Sequence, residues 1–248
     1  RGVFGWPAIH TRGRSGKAEE TAKIENIFID CGCSTKAEVE ALGVHVGCVI
    51  TYPDNFEILN NDKFVCRAID NRMGGFMIAE VARLLKENKK KLPFGLYITN
   101  SVQEEVGLYG ARMIAKKLQA DIALVHDVCH NTSHPKMNKA KDCDTKGGDG
   151  PCVEYTAQNH RKILNLFKEV AKDNDIKIQH TVGSYGNDTM SFFLENTPTA
   201  ILATPLKYMH TTCEMAHKDD VAACIDLFVK TLLSITPEWI DDVRNPKI

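Results

Sequence analysis

The sequence predicts an α/β fold: a largely parallel sheet with helices on both faces, preceded by a small β-rich domain. Three observations predict it. From about Phe64 onward, short apolar runs alternate with longer amphipathic ones, the pattern of strands joined by covering helices. Within the longer runs the apolar residues recur at helical spacing, as Met73, Met77, Val81, Leu84 and Leu85 do. Residues 1–62 have another texture, short strand candidates punctuated by Gly and Pro. A boundary is expected near Asn60–Asp62, with 1–62 as the β-rich domain and 63–248 as the α/β domain.

In chain order, Ile24–Asp30 and Val44–Tyr52 are strand candidates, separated by a short helix after Ser34, a residue type that caps helix starts. Lys63–Ile69 is the first strand of the larger domain, and Met73–Leu85 the first helix. The run Lys86–Lys91 suits a solvated helix end, where cations meet the negative pole of the helix dipole. Strands follow at Phe94–Asn100, Asp121–Val128, Ile176–Gln179 and Thr199–Ala203, and helices at Gly110–Leu118, His160–Val170 and Val221–Leu233. The polar stretch Cys129–Gly150 reads as a loop beside the strand ends.

Composition narrows the function. Of 248 residues, 43% are hydrophobic and 25% charged, which excludes disordered, collagenous and low-complexity chains. Lys+Arg 31 against Asp+Glu 32 leaves a net charge of -1, so the chain has no broad field for nucleic acid or anionic lipid. No apolar run reaches the roughly 18–20 residues that span a bilayer; Val221–Ile235 is interrupted by Asp226 and Lys230. Nine cysteines in a chain of this size suit reduced thiols and a cytoplasmic setting. The opening Arg1-Gly2-Val3-Phe4-Gly5-Trp6-Pro7 has neither an initiator Met nor a signal-peptide core, so the chain is expected to be cut, processed or partial.

The chemistry gathers where strands end, since ligands of open α/β sheets collect beyond the carboxyl ends of the strands. Those ends carry Asp70-Asn71-Arg72, Gln103-Glu104-Glu105, His126-Asp127 and Tyr208-Met209-His210. Carboxylates and a histidine at one rim are the set a pair of divalent metals needs. A mixture of Asp, Glu and His favours zinc and its neighbours over Mg²⁺ or Ca²⁺. Each residue also has a structural reading. Ser101-Val102-Gln103-Glu104 fits a capping box; Asp70 suits an N-cap, Glu105 a surface position at a helix start, Asp127 a turn, and His210 a structural role.

Other candidates are weaker. His126, His130 and His134 would share a helix face, but Asn131, Thr132, Ser133 and Pro135 oppose a helix there. Cys31-Gly32-Cys33 has no second thiol pair at zinc-site spacing and reads as free thiols. Met137, Met190, Met209 and Met215 lack regular spacing and read as packing residues.

At Asp70-Asn71-Arg72, Gln103-Glu104-Glu105-Val106-Gly107-Leu108-Tyr109-Gly110-Ala111 and Tyr208-Met209-His210, the sequence closely resembles the TET-type two-metal aminopeptidases. These are also called deblocking or glutamyl aminopeptidases and are sometimes labelled cellulase-like. The family pattern has a DNR triplet, a QEEVGLRGA segment, a VDV-like strand end and a YxH triplet, and the chain matches all four in order. The likeness extends to Ile29-Asp30-Cys31-Gly32 and Gly43–Gly47, and so to essentially the whole chain.

The resemblance implies a zinc-exopeptidase-like fold, two divalent metal ions per subunit (zinc or cobalt) and peptide substrates. It implies that Asp70 bridges the ions, Glu105 binds one, Asp127 binds the other and His210 completes the set. Glu104 would be the general base toward a metal-bound water. It further implies that residues 1–62 are the later part of an inserted dimerisation domain, and that dimers assemble into hollow dodecamers.

Two departures accompany it. The family carries a His-x-Asp pair ahead of the insert, whose His binds metal. Nothing before Asp70 fits, since His10 precedes Thr11-Arg12 and His45 precedes Val46-Gly47. His217-Lys218-Asp219 spells the pair but follows the YxH triplet and opens a helix, so it reads as a cap. Gly183-Ser184-Tyr185-Gly186-Asn187-Asp188 stands in place of a GGTDA-like turn. The sequence therefore reads as the later two thirds of a larger enzyme, inactive if taken alone. Two rival readings are a non-catalytic assembly subunit that lacks one ligand, and a glycoside hydrolase using paired carboxylates.

Overall fold

The computed structural model describes residues 1–8, 10–11, 22–183 and 185–245. They form two compact units, Arg1–Thr51 and Tyr52–Ile248. In the first, β1 (Val3–Gly5) pairs antiparallel with β2 (Phe28–Asp30), and α1 covers Lys36–Ala41. The strand expected over Ile24–Asp30 is a 3-10 turn at Ile24–Asn26 followed by β2, and Val44–Tyr52 forms no ladder among the described residues. The cap of α1 is Thr35 rather than Ser34. Its hydroxyl accepts from Glu38 N at 3.3 Å, while the Glu38 carboxylate accepts from Ser34 N at 2.7 Å. Glu38 decides the position, because a capping box needs its acid three residues after the cap.

The second unit runs β3 (Glu57–Leu59), β4 (Lys63–Cys66), α2 (Ile69–Asn88), α3 (Tyr109–Leu118), β5 (Ala123–His130), α4 (Lys139–Asp142), β6 (Cys152–Glu154), α5 (Arg161–Asp173), β7 (Gln179–Thr181), α6 (Thr189–Leu194), β8 (Thr199–Lys207), β9 (Glu214–His217), α7 (Lys218–Ser234) and α8 (Pro237–Arg244). It begins ahead of residue 62 because β3 and β4 form a hairpin within its sheet. The stretch Asn60–Asp62 is the turn of that hairpin, with Asn60 and Asn61 both left-handed at φ 50 and 64, a conformation asparagine tolerates.

β8 organises the sheet. It is buried from Thr199 to Leu206, and β5 runs parallel along one of its edges, from Ala123↔Thr199 to His130↔Leu206. β6 and β9 share the opposite edge in succession, both antiparallel, at Cys152↔Ala203 and Leu206↔Ala216. β7 extends the sheet beside β6 in parallel, and β4 and then β3 extend it beside β9 in antiparallel. The α/β class stands, but the sheet is mixed where a largely parallel one was expected. Short connections at β3–β4 and β8–β9 allow only antiparallel pairing.

Alternate residues of β8 serve opposite faces. Ala200, Leu202 and Leu206 join Met77 of α2, Phe167 of α5 and Leu227 of α7 in the main core. Ile201 and Ala203 join Val125, Cys129 and Cys152, and Phe192 of α6 packs on them. Helices thus cover both faces. The helices expected at Met73–Leu85, Gly110–Leu118, His160–Val170 and Val221–Leu233 coincide with α2, α3, α5 and α7. Phe94–Asn100 forms no strand and belongs to no ladder among the described residues. Its side chains line an apolar cavity of about 330 Å³ with Met77, Leu124 and Phe228. All nine cysteines are free thiols, and no described helix is long and apolar enough to cross a membrane.

Phe167 is wholly buried and meets Phe228 edge-on, with ring centroids 6.0 Å apart. Replacing Phe167 by Ala is expected to cost about 3–5 kcal/mol, read as a lower urea midpoint at unchanged slope.

Candidate metal centre

α2 opens irregularly. Asp70 and Asn71 have non-helical backbone angles and are joined by a cis peptide bond. The Asn71 side chain performs the capping, its Oδ1 accepting from Gly74 N at 2.8 Å. Its Nδ2 donates to His126 O and to Asp127 Oδ1, each at 3.2 Å. Asp70 is therefore no N-cap. Its carboxylate, only 8% exposed, lies 3.0 Å from His210 Nε2, and His210 Nε2 lies 3.3 Å from Glu105 Oε2.

Glu104 lies in the turn before α3, its carbonyl accepting from Gly107 N at 3.1 Å and Leu108 N at 3.0 Å. The capping-box reading fails here, because no helix begins until Tyr109 and the Ser101 hydroxyl donates instead to the Asp188 carboxylate. Asp127 sits inside β5, which runs on to His130, and its Oδ1 also accepts from Val128 N at 2.8 Å. The turn reading of Asp127 is thereby removed.

Crowded acids raise one another's proton affinity. Burial pushes the Asp70 carboxyl up to about 6, with Glu105 and Glu214 adding repulsion and His210 opposing it. Burial pushes Glu104 up to about 7, reinforced by Asp188, Glu105 and Asp70. Asp127 is raised well above its ordinary value by burial and then by Asp70. Such a cluster is costly to ionise without a cation, and its donors suit one. Ligand atoms of Asp70, Glu105 and His210 all lie within 4.8 Å of one another, and a mixed imidazole and carboxylate set fits zinc or a neighbouring divalent ion. Asp127 and Glu104 stand outside that trio but feel it electrostatically.

The competing histidine sites dissolve. His126 and His130 both belong to β5, so no helix aligns them with His134. His126 Nε2 lies 3.0 Å from Thr204 Oγ1, and burial lowers its pKa to about 3, leaving a neutral core imidazole. His217 caps α7, its Nδ1 accepting from Asp219 N at 3.2 Å, as expected for a cap. Sequence reasoning passed over Asn71 and Asp188. Asp188 closes the segment 183–188 that departs from the family pattern, of which Ser184 lies outside the described residues. Around the centre His130 meets Tyr185, and His134 meets Tyr208, both edge-on at 5.4 Å.

The family model described as M42 glutamyl aminopeptidase matches residues 1–227. A putative aminopeptidase of Escherichia coli is 29% identical over 97% of the chain and 67% of its own length. The solved aminopeptidase of the archaeon Desulfurococcus kamchatkensis is 27% identical, with TM-score 0.89 over 100% of this chain and 68% of its own. The Pyrococcus horikoshii TET1 peptidase, which can assemble into a tetrahedron or a large octahedral shell, is 25% identical with TM-score 0.78, over 94% of this chain and 68% of its own. The chain spans about two thirds of the length of each.

One more buried carboxyl stands outside that cluster. Glu154 is wholly buried, neither of its oxygens has a hydrogen-bond partner among the described residues, and burial raises its pKa from 4.5 to about 7. At low pH the carboxyl is protonated in the folded and the unfolded chain alike. As pH rises from 4.5 to 7 only the unfolded chain releases the proton, so stability falls over that window. Wild type is therefore expected to lose about 3 kcal/mol relative to E154Q across it, measured by urea unfolding of both proteins at several pH values.

Proposed function

The chain belongs to the M42 glutamyl aminopeptidase family, and from that premise we propose that it removes N-terminal residues from peptides at a two-metal centre. The observation that carries this reading is the convergence of Asp70, Glu105 and His210 ligand atoms within 4.8 Å of one another, with Glu104 half-buried beside them. Asp70 would be shared between two zinc or cobalt ions, with Glu105, Asp127 and His210 as further ligands. The ions would polarise the scissile carbonyl and acidify the attacking water.

The chain's own groups do the rest. Glu104 takes a proton from the water and returns it to the departing amine, as a general base that becomes a general acid. Asn71 holds the Asp127 carboxylate through Nδ2 and so keeps that ligand turned toward Asp70. Ser101 fixes Asp188 next to Glu104, which keeps a second negative group against the base. The surplus of carboxylates favours a substrate that presents a cationic α-amine to the rim.

In the first unit Val46, Val49 and Ile24 are 103%, 87% and 88% exposed. Apolar surface of that kind supports a role for this unit, residues 1–51, as the later part of a dimerisation insert, in a homo-oligomer of the kind the Pyrococcus horikoshii TET1 peptidase forms. Nine unpaired thiols favour a reducing, cytoplasmic setting.

In the full-length protein, Glu104→Gln is expected to keep the metal content of the wild type while lowering hydrolysis of an aminoacyl-p-nitroanilide by about a hundredfold or more. Unchanged turnover in that variant would remove Glu104 from its role. Fewer than one ion per wild-type chain, by elemental analysis of the purified full-length protein, would favour the non-catalytic assembly subunit instead.

A further inference from the structure

β9 begins with Glu214, a residue 2% exposed. Its Oε2 accepts from the backbone N–H of Asp70 at 2.9 Å, across 144 residues of sequence, and its Oε1 accepts from the backbone N–H of His210 at 2.8 Å. One carboxylate therefore spans the two chain segments whose side chains meet 3.0 Å apart. Both segments need holding. Ala68, Tyr208 and His210 are left-handed at φ 50, 60 and 61, a conformation that non-glycine residues adopt only where their surroundings hold them there.

We propose that Glu214 is the positioning residue of the metal centre: it touches neither substrate nor ion, and it sets the separation of Asp70 and His210 by fixing their backbones. The inference rests on the reading of Asp70 and His210 as ligands. Its chemistry is specific to a carboxylate. Two acceptor oxygens face two donors, and a glutamine would aim an amide N–H at one of them, releasing either Asp70 or His210. Aspartate is one methylene too short to span both. A merely structural role, closing the β8–β9 connection, would need the local bond to His210 but not the distant one to Asp70.

The test titrates Co²⁺ by calorimetry into the metal-free full chain as wild type, E214Q and E154Q, and follows amide hydrogen exchange at Asp70 and His210 without metal. Glu154 is buried as completely as Glu214 but holds neither segment, so E154Q reports the general effect of altering an interior carboxyl. E214Q should weaken Co²⁺ binding by about 10–100-fold, the usual effect of removing a residue that orients a ligand. It should also speed exchange at one or both of the two amides, while E154Q does neither. Wild-type affinity in E214Q, or equal losses in both variants, overturns the inference alone. Absence of Co²⁺ binding in the wild type overturns the metal-site reading and this inference with it. If E214Q does not fold, the wild type still decides: slow exchange at Asp70 and His210 is expected, and exchange as fast as in exposed loops overturns the clamp.

Discussion

Repulsion among like charges is the constraint around which the rest of this structure is arranged. Asp70, Glu104, Asp127 and Asp188 are all raised by burial, and Glu105 adds to the charge that Asp70 and Glu104 feel. His210 opposes the rise at Asp70 and Glu104. A chain left to itself would splay such groups apart. Here two of the acids are gripped through neutral donors: Asp127 by Asn71 and the Val128 amide, Asp188 by the Ser101 hydroxyl. The grips come from side chains and backbone that carry no charge, so they restrain the carboxylates without discharging them. What is left unneutralised is what makes the centre attractive to a divalent cation.

The backbone shares in that arrangement. Ala68, Gln103, Tyr208 and His210 all take left-handed angles, and each lies within two residues of a carboxylate or imidazole of the centre, or is that imidazole. Non-glycine residues in this region are uncommon and persist only where the surroundings determine them. The surroundings here are β4, β5, β8 and β9, whose pairing fixes the ends from which those turns depart.

Legibility in the sequence followed range of interaction. Asp70, Glu105 and His210 were readable because each stands just after an apolar run, and position in a β/α pattern is a local property. Glu104 carried a false local signal, since Ser101-x-x-Glu104 spells a capping box although the helix starts only at Tyr109. Asn71, Asp188 and Glu214 were not readable, because their partners are backbone or side-chain atoms from distant parts of the chain, such as the 144 residues between Glu214 and Asp70. The same holds for strands. Phe94–Asn100 has the apolar pattern of a strand, yet a ladder needs a partner that periodicity cannot name. Pairing sense was likewise hidden, which is why a mixed sheet replaced a largely parallel one. The helices, whose hydrogen bonds are internal, were placed to within a few residues.

The position of β8 has a consequence for how the molecule comes into being. It alone pairs with β5, β6 and β9, yet it is made of residues Thr199–Lys207, late in the chain. While the polypeptide is being synthesised, β5 and β6 emerge with no common partner, and their apolar residues Val125, Val128, Cys152 and Val153 wait for a strand that has not yet been translated. Non-local pairing of this kind delays folding and prolongs exposure of sticky edges. The nascent chain is thus most vulnerable to misassociation between the synthesis of β5 and that of β8, a window set by strand order rather than by stability.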